Sequence, residues 1–259
     1  MRQKLTVLLV RHGARFDYEN KESWREACAR LGHNAADPPL SALGHRQARE
    51  TAAVLCGEAI EHILVSPYLR VIQTAQPLSH AISLPLCIEE GLSELGHVPD
   101  TIPLPGARFP YFPEIDDKYI PMHPPIEMSP SGREGEVAYL QRMLRLAADL
   151  PKRFPRSTVA CFSHAASVAL VAALTKSKTL DEAGTFAPCG IWKLVSLDDG
   201  ASWQVEARGD DNQGHVTENS PSTFPWGFRH SATSTASKTG LQEWEQRWTE
   251  AQCMGPTVS

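Results

Sequence analysis

The chain has 259 residues, 42% of them hydrophobic and 21% charged, enough to bury a substantial core without disulfides or oligomerisation. A formal charge of -5, with Lys and Arg dispersed rather than in blocks, argues against a nucleic-acid-binding arm or a polybasic membrane anchor. The six cysteines (Cys28, Cys56, Cys87, Cys161, Cys189, Cys253) lie far apart, with no CxxC and no clustered His pair, so neither a zinc site nor a disulfide framework suggests itself. A reducing, cytoplasmic setting is expected, and no apolar run approaches the roughly 20 residues of a spanning helix.

Leu5 to Val10 is a continuous Val- and Leu-rich run, the pattern of a strand buried on both faces at the centre of a parallel sheet. From Ser41 to Gly57, Leu43, Ala48, Ala52 and Leu55 fall near helical spacing, with Gly57 as a stop. His62 to Ser66 reads as a second strand. A helix follows from Tyr68 to His80, with Pro67 suited to its first turn. A third strand is expected around Leu84 to Ile88. Between Pro99 and Pro130 lie nine of the chain's 20 prolines, interleaved with Phe109, Tyr111, Phe112 and Tyr119, which reads as an insert over about 96–132.

Regular text resumes with a helix from Gly132 to Leu150, a buried strand from Thr158 to Ser163 and an apolar helix from His164 to Thr175. Ile191 to Leu197 and Trp203 to Ala207 form a closing pair joined through Asp198-Asp199-Gly200, a turn sequence. The alternation predicts a doubly wound α/β fold. Beyond the body, 1–210, a polar extension covers 211–259. In it six of the nine residues from Ser231 to Thr239 are Ser or Thr, and a terminal helix near 240–252 places Leu241, Trp244 and Trp248 on one face, able to dock back.

Arg11-His12-Gly13-Ala14-Arg15 directly follows the first strand, and ligand sites of open α/β sheets sit at the carboxyl ends of strands. A histidine nitrogen can attack phosphorus, and the forked guanidinium groups of Arg11 and Arg15 match phosphate oxygens. Gly13 would let the backbone approach a ligand. Alone, the pentapeptide could equally be a strand ended by solvated charges. His164 occupies the same position after an apolar strand; if the two strands are neighbours, both imidazoles face one site, and helix amides after His164 favour an anion there. Arg70, about one turn inside the helix after the second strand, is a third candidate arginine, which without such partners would be an ordinary exposed helix residue.

These segments together resemble the histidine phosphatase superfamily, also called phosphoglycerate-mutase-like. They are Arg11-His12-Gly13, Pro39-Leu40-Ser41 with Gly44 and Gln47-Ala48, Ser66-Pro67 with Arg70 and Gln73-Thr74-Ala75, and Ser163-His164. Arg15, Gly91-Leu92-Ser93-Glu94 and Thr223 to Phe228 point to the branch that contains the suppressor of T-cell-receptor signalling and ecdysteroid-phosphate phosphatases. The resemblance implies a three-layer α/β/α fold with a mostly parallel central sheet. It implies that His12 is a nucleophile forming a phosphohistidine, that Arg11, Arg15, Arg70 and His164 hold the phosphoryl group, and that Glu94 donates a proton. Apart from it, Glu89, Glu90 and Glu94 read as solvated surface carboxylates.

The implied activity is metal-independent phosphoric monoester hydrolysis, with no cofactor, acting on a phosphorylated small molecule or a phosphotyrosine-type substrate. The arginines should disfavour a charge on His12 and keep it available for attack. Mutases of the superfamily usually continue from Arg-His-Gly into Glu-Ser and a Trp-Asn segment, whereas Ala14-Arg15-Phe16-Asp17 stands here, which disfavours the alternative of a phosphoglycerate-type mutase. A second alternative is a phosphatase-like interaction subunit, since relatives of this fold serve in larger assemblies, including a fungal RNA polymerase III transcription factor.

Overall fold

The computed structural model describes residues 4–32, 34–96, 108, 110–123, 126, 134–219, 225–231 and 239–255. Six strands form one mixed sheet: β1 (Thr6–Arg11), β2 (His62–Val65), β3 (Leu86–Ile88), β4 (Thr158–Ser163), β5 (Ile191–Ser196) and β6 (Trp203–Ala207). Their spatial order is β3-β2-β4-β1-β5-β6, with β3, β2, β4 and β1 mutually parallel and the β1–β5 and β5–β6 pairs antiparallel. β1 is interior, as its unbroken apolar run predicts.

The period-two alternation of β1 builds the layers. Val7 and Leu9 enter one cluster with α5 (Glu136–Arg153), α6 (Val168–Thr175) and the terminal helix. Leu8 and Val10 enter the other, with α3 (Ala42–Leu55) and α4 (Leu69–Ile82). These four side chains are at most 1% exposed, and each fully buried Val or Leu is worth about 1.5–3 kcal/mol. β6, by contrast, is an exposed edge, with Lys193 of β5 pairing to Glu206 across the sheet's outer face.

Element boundaries differ from the sequence expectation in ways the local chemistry explains. Tyr68 is the N-cap of α4, so Pro67 lies before the helix rather than in its first turn. His164 opens a single 3₁₀ turn, Ala165–Ser167, before α6 begins at Val168. Two helices escape the sequence reading, α1 (Phe16–Glu19) and α2 (Lys21–Leu31). None of their residues is buried; α1 is a single turn, too short to show a period, whereas on α2 Trp24, Ala27, Cys28 and Leu31 do fall at helical spacing.

The tail forms α7 (Phe228–Ser231) and α8 (Thr239–Met254). Trp244 and Trp248 are 7% and 0% exposed, packed into the cluster under α5, and Trp248 Nε1 donates to the Ser177 carbonyl at 3.3 Å. Glu245 accepts from the Leu180 and Asp181 amides, tying α8 down a second time. The aromatic face therefore docks on the body itself. Of the Pro-rich insert, 97–107, 109, 124–125 and 127–133 lie outside the described residues. So do 232–238 of the Ser/Thr-rich stretch and Thr223-Phe224 of the motif ending at Phe228. Among the described residues, no helix is long and apolar enough to cross a membrane.

Candidate active site

β1 and β4 are adjacent and in register, Arg11 opposite Ser163, so His12 and His164 leave the sheet side by side. The His12 amide donates to the Ser163 carbonyl at 3.0 Å, and the two rings stand 5.5 Å apart, edge to face. Nδ1 of His12 lies 2.8 Å from the Gly13 carbonyl. A carbonyl only accepts, so Nδ1 carries the proton and Nε2 keeps its lone pair.

β2 ends beside β4, which brings Ser66 Oγ to 2.8 Å from His164 Nε2. The other nitrogen of His164, Nδ1, is 3.2 Å from both Arg70 Nη2 and Glu94 Oε2. Neutral His164 accepts there from Arg70; protonated, it donates to Glu94. Tyr68 closes the back of this group, its ring 4.9 Å from His164 and under the Arg70 guanidinium at 4.5 Å.

Arg70 is 1% exposed and donates through Nη2 to Glu94 Oε2 at 3.3 Å. Its Nε and Nη1 groups are buried without a hydrogen-bond acceptor. Buried N–H groups are nearly always satisfied, so two idle guanidinium donors beside a histidine lone pair suit an anion with several oxygens. Arg11 is also buried and donates to the Phe186 carbonyl at 2.5 Å. Arg15 is turned differently: Nε and Nη2 grip Asp17 at 3.0 and 2.8 Å, Nη1 donates to Tyr18 Oη at 3.1 Å, and the guanidinium stacks on the Tyr18 ring. Its charge still acts on Arg70, His164 and Glu94.

Burial, then the charges of Arg70, His164 and Arg11, hold His12 well below the ordinary imidazole range. Burial likewise brings His164 down to about 4 and Arg11 down to about 10. Burial alone would raise the Glu94 carboxyl, but His164, by its charge when protonated and by its hydrogen bond, together with Arg70 and a protonated His12, holds it well below its usual value. The site at rest thus contains a neutral imidazole and an ionised carboxylate.

Other motif residues turn out to be scaffolding. Thr74 Oγ1 accepts from the Gly13 amide at 3.1 Å, Gln47 Oε1 from the Ala14 amide at 2.8 Å, and Gln73 Oε1 from the Leu40 amide at 2.8 Å. Ser41 caps α3 by accepting from the Gly44 amide. Gly13 also serves a close contact within the protein: a Cβ there would stand 2.8 Å from the Gly44 carbonyl oxygen.

One further expectation needs correction. Glu89 is fully buried rather than solvated, accepting from the Gly91, Met122 and His123 amides and from Tyr119 Oη. His12, Glu94 and His164, far apart in sequence, do form a cluster whose ligand atoms lie within 4.8 Å of one another and could hold a metal ion. Sequence reasoning missed Asp37, Arg108 and Arg142 as parts of the site's frame, and it quoted Ser66 in a motif without giving it a role there. Arg142 is fully enclosed, paired with Glu134, and donates to the Gly91, Ser93 and Glu94 carbonyls, which fixes the loop carrying Glu94. Nothing in the periodicity of α5 marks it; its burial is seen only in the fold.

The model of the Histidine phosphatase superfamily (branch 1) matches residues 7–211, most of the chain. The chain belongs to the histidine phosphatase superfamily. Among solved structures of this fold, it is similar to the ecdysone phosphate phosphatase of Bombyx mori in complex with tungstate. That pair is 20% identical with a TM-score of 0.64, covering 84% of this chain and 96% of the other. A mycobacterial glucosyl-3-phosphoglycerate phosphatase is 22% identical, TM-score 0.54, over 80% of this chain and 99% of its own. In sequence, 121 residues, 45% of this chain, are 28% identical to the 55 kDa subunit of transcription factor tau of Saccharomyces cerevisiae. They span 26% of that relative. The superfamily's phosphoglycerate-mutase-like architecture is the sheet and helix arrangement described above.

Proposed function

We propose that this superfamily member is a phosphoric monoester hydrolase that passes the phosphoryl group through His12. The observation that carries the reading is the free lone pair of His12 Nε2 beside the two idle, buried N–H groups of Arg70. Nε2 attacks phosphorus as the ester P–O bond breaks, and the leaving oxygen takes a proton from Glu94. Water then gives a proton to the Glu94 carboxylate and attacks phosphorus; the P–N bond breaks, and inorganic phosphate and neutral His12 are restored.

The proton on Glu94 has a source in the electrostatics. A phosphate dianion draws Arg70 toward itself and sets negative charge next to the carboxylate, and both changes raise the carboxyl pKa. The proton itself comes from the monoanionic form of the ester, which hands it to Glu94 on binding and so forms the acid that the leaving group needs. Arg11, Arg15 and Arg70 supply cationic charge for the transferring group, which supports metal-independent hydrolysis; Arg15 must release Asp17 to take part.

His12→Ala should abolish hydrolysis of p-nitrophenyl phosphate, and excess chelator should leave the wild-type rate intact. Activity retained by His12→Ala overturns the mechanism, and loss to chelator overturns metal independence. The mutase alternative predicts bisphosphate-dependent isomerisation faster than hydrolysis. The interaction-subunit alternative draws on the tau relative, but the dispensable-looking aromatic face of the tail is buried in this chain's own core.

A further inference from the structure

Asp37, on the loop between α2 and α3, is buried and binds three partners. Oδ1 accepts from the Leu69 amide at 2.7 Å and stands 3.9 Å from Arg70 Nη1. Oδ2 takes Nη2 of Arg108 in a short contact, and Arg108 Nε donates to the Pro67 carbonyl at 3.1 Å. Arg108 is 7% exposed and belongs to the Pro-rich insert, 71 residues from Asp37 in sequence. The insert thus contributes a buried cation directly behind the phosphate pocket.

The geometry sets up a competition. A carboxylate–guanidinium hydrogen bond closes at roughly 2.7–2.9 Å, so Arg70 stands about one ångström short of Asp37, attracted but not captured. Oδ1 is occupied by the Leu69 amide, and the charge of Arg108 offsets the carboxylate. Without Arg108, a buried carboxylate would have Arg70 as its one neighbouring cation among these partners, and burial strengthens that pull.

We propose that Asp37 and Arg108 are a positioning pair for Arg70. Asp37 orients the guanidinium, and Arg108 keeps that carboxylate from drawing Arg70 out of the phosphoryl site. The inference rests on the phosphatase reading of that site. It makes the insert part of the phosphate-binding apparatus for every substrate.

Arg108→Met keeps the apolar stem and removes the charge. It should raise KM for p-nitrophenyl phosphate and the inhibition constant of inorganic phosphate about tenfold, the scale of one weakened charge-assisted hydrogen bond, with a smaller change in kcat. Adding Asp37→Asn should restore most of the phosphate affinity, because the competing charge is gone. Because Asp37→Asn also relieves an unpaired buried charge, damage to the fold is read separately: well below both melting midpoints, Arg108→Met should keep the wild-type circular dichroism and a near-wild-type kcat while KM and the phosphate inhibition constant rise. Arg108→Met with unchanged phosphate inhibition, or a double variant no better than the single one, overturns the proposal. A wild-type chain that neither hydrolyses the ester nor binds inorganic phosphate overturns the phosphatase reading instead; binding by calorimetry without turnover still tests the pair.

Discussion

Replacing Arg142 by Met should loosen the Glu94 loop and cost the protein a large share of its stability. The Arg142 side chain is 1% exposed and that of Glu134 3%, joined by two bonds of 2.6 and 2.7 Å. Removing one partner of a buried pair leaves an uncompensated charge, worth about 3–5 kcal/mol. The Gly91 and Ser93 carbonyls also lose donors at 2.6 and 3.0 Å, while a methionine fills the vacated volume well. For a chain of this size a loss of about 4 kcal/mol lowers the melting midpoint by roughly 8–16 °C. Thermal unfolding followed by circular dichroism reads that shift. Turnover of p-nitrophenyl phosphate, measured well below the variant's midpoint, reads the loop, and kcat should fall because Glu94 loses its anchorage. Glu134→Gln keeps an acceptor for Arg142 and should cost less on both measures. A midpoint within about 2 °C of wild type would refute the energetic reasoning; a large shift with unchanged kcat would refute the link to Glu94.

The low position of His164 couples stability to pH. The unfolded chain protonates this imidazole as pH falls through about 6.5, the folded chain only near 4, so between them the unfolded state binds more protons and stability drops with falling pH. The contribution, roughly 3 kcal/mol, is complete above the upper value and lost below the lower; urea unfolding at several pH values should show it, and His164→Asn should flatten the slope. Ser66→Ala removes the partner of His164 Nε2 and should reduce kcat about tenfold with the melting midpoint shifted by less than that of Arg142→Met, checked by the same two assays. Trp248→Ala, at a fully buried position, should destabilise by about 3–5 kcal/mol while kcat, measured below the new midpoint, stays within twofold of wild type.

Much of this protein is written locally. The apolar runs of β1 and β4, the residues that end them, and the face shared by Trp244 and Trp248 follow from side-chain periodicity, which any short window of sequence displays. The histidine at each strand end was legible for the same reason. The four-residue α1 was not, because a single turn shows no period; α2 did carry a local signal, with Trp24, Ala27, Cys28 and Leu31 at helical spacing.

What the sequence by itself determined is which groups stand at the ends of which elements; only the tertiary structure decided which of them meet. Strand order makes β1 and β4 neighbours, and that adjacency sets His12 against His164 and gathers a cluster that linear spacing had seemed to exclude. Packing also decided that Arg70 keeps two donors idle, that Arg15 spends its fork on Asp17, and that Arg142 holds the Glu94 loop from another helix. The physical reason is range: hydrophobic patterning acts over a turn or a pleat, whereas the pairing of Asp37 with Arg108 needs the whole chain folded before either charge finds its partner.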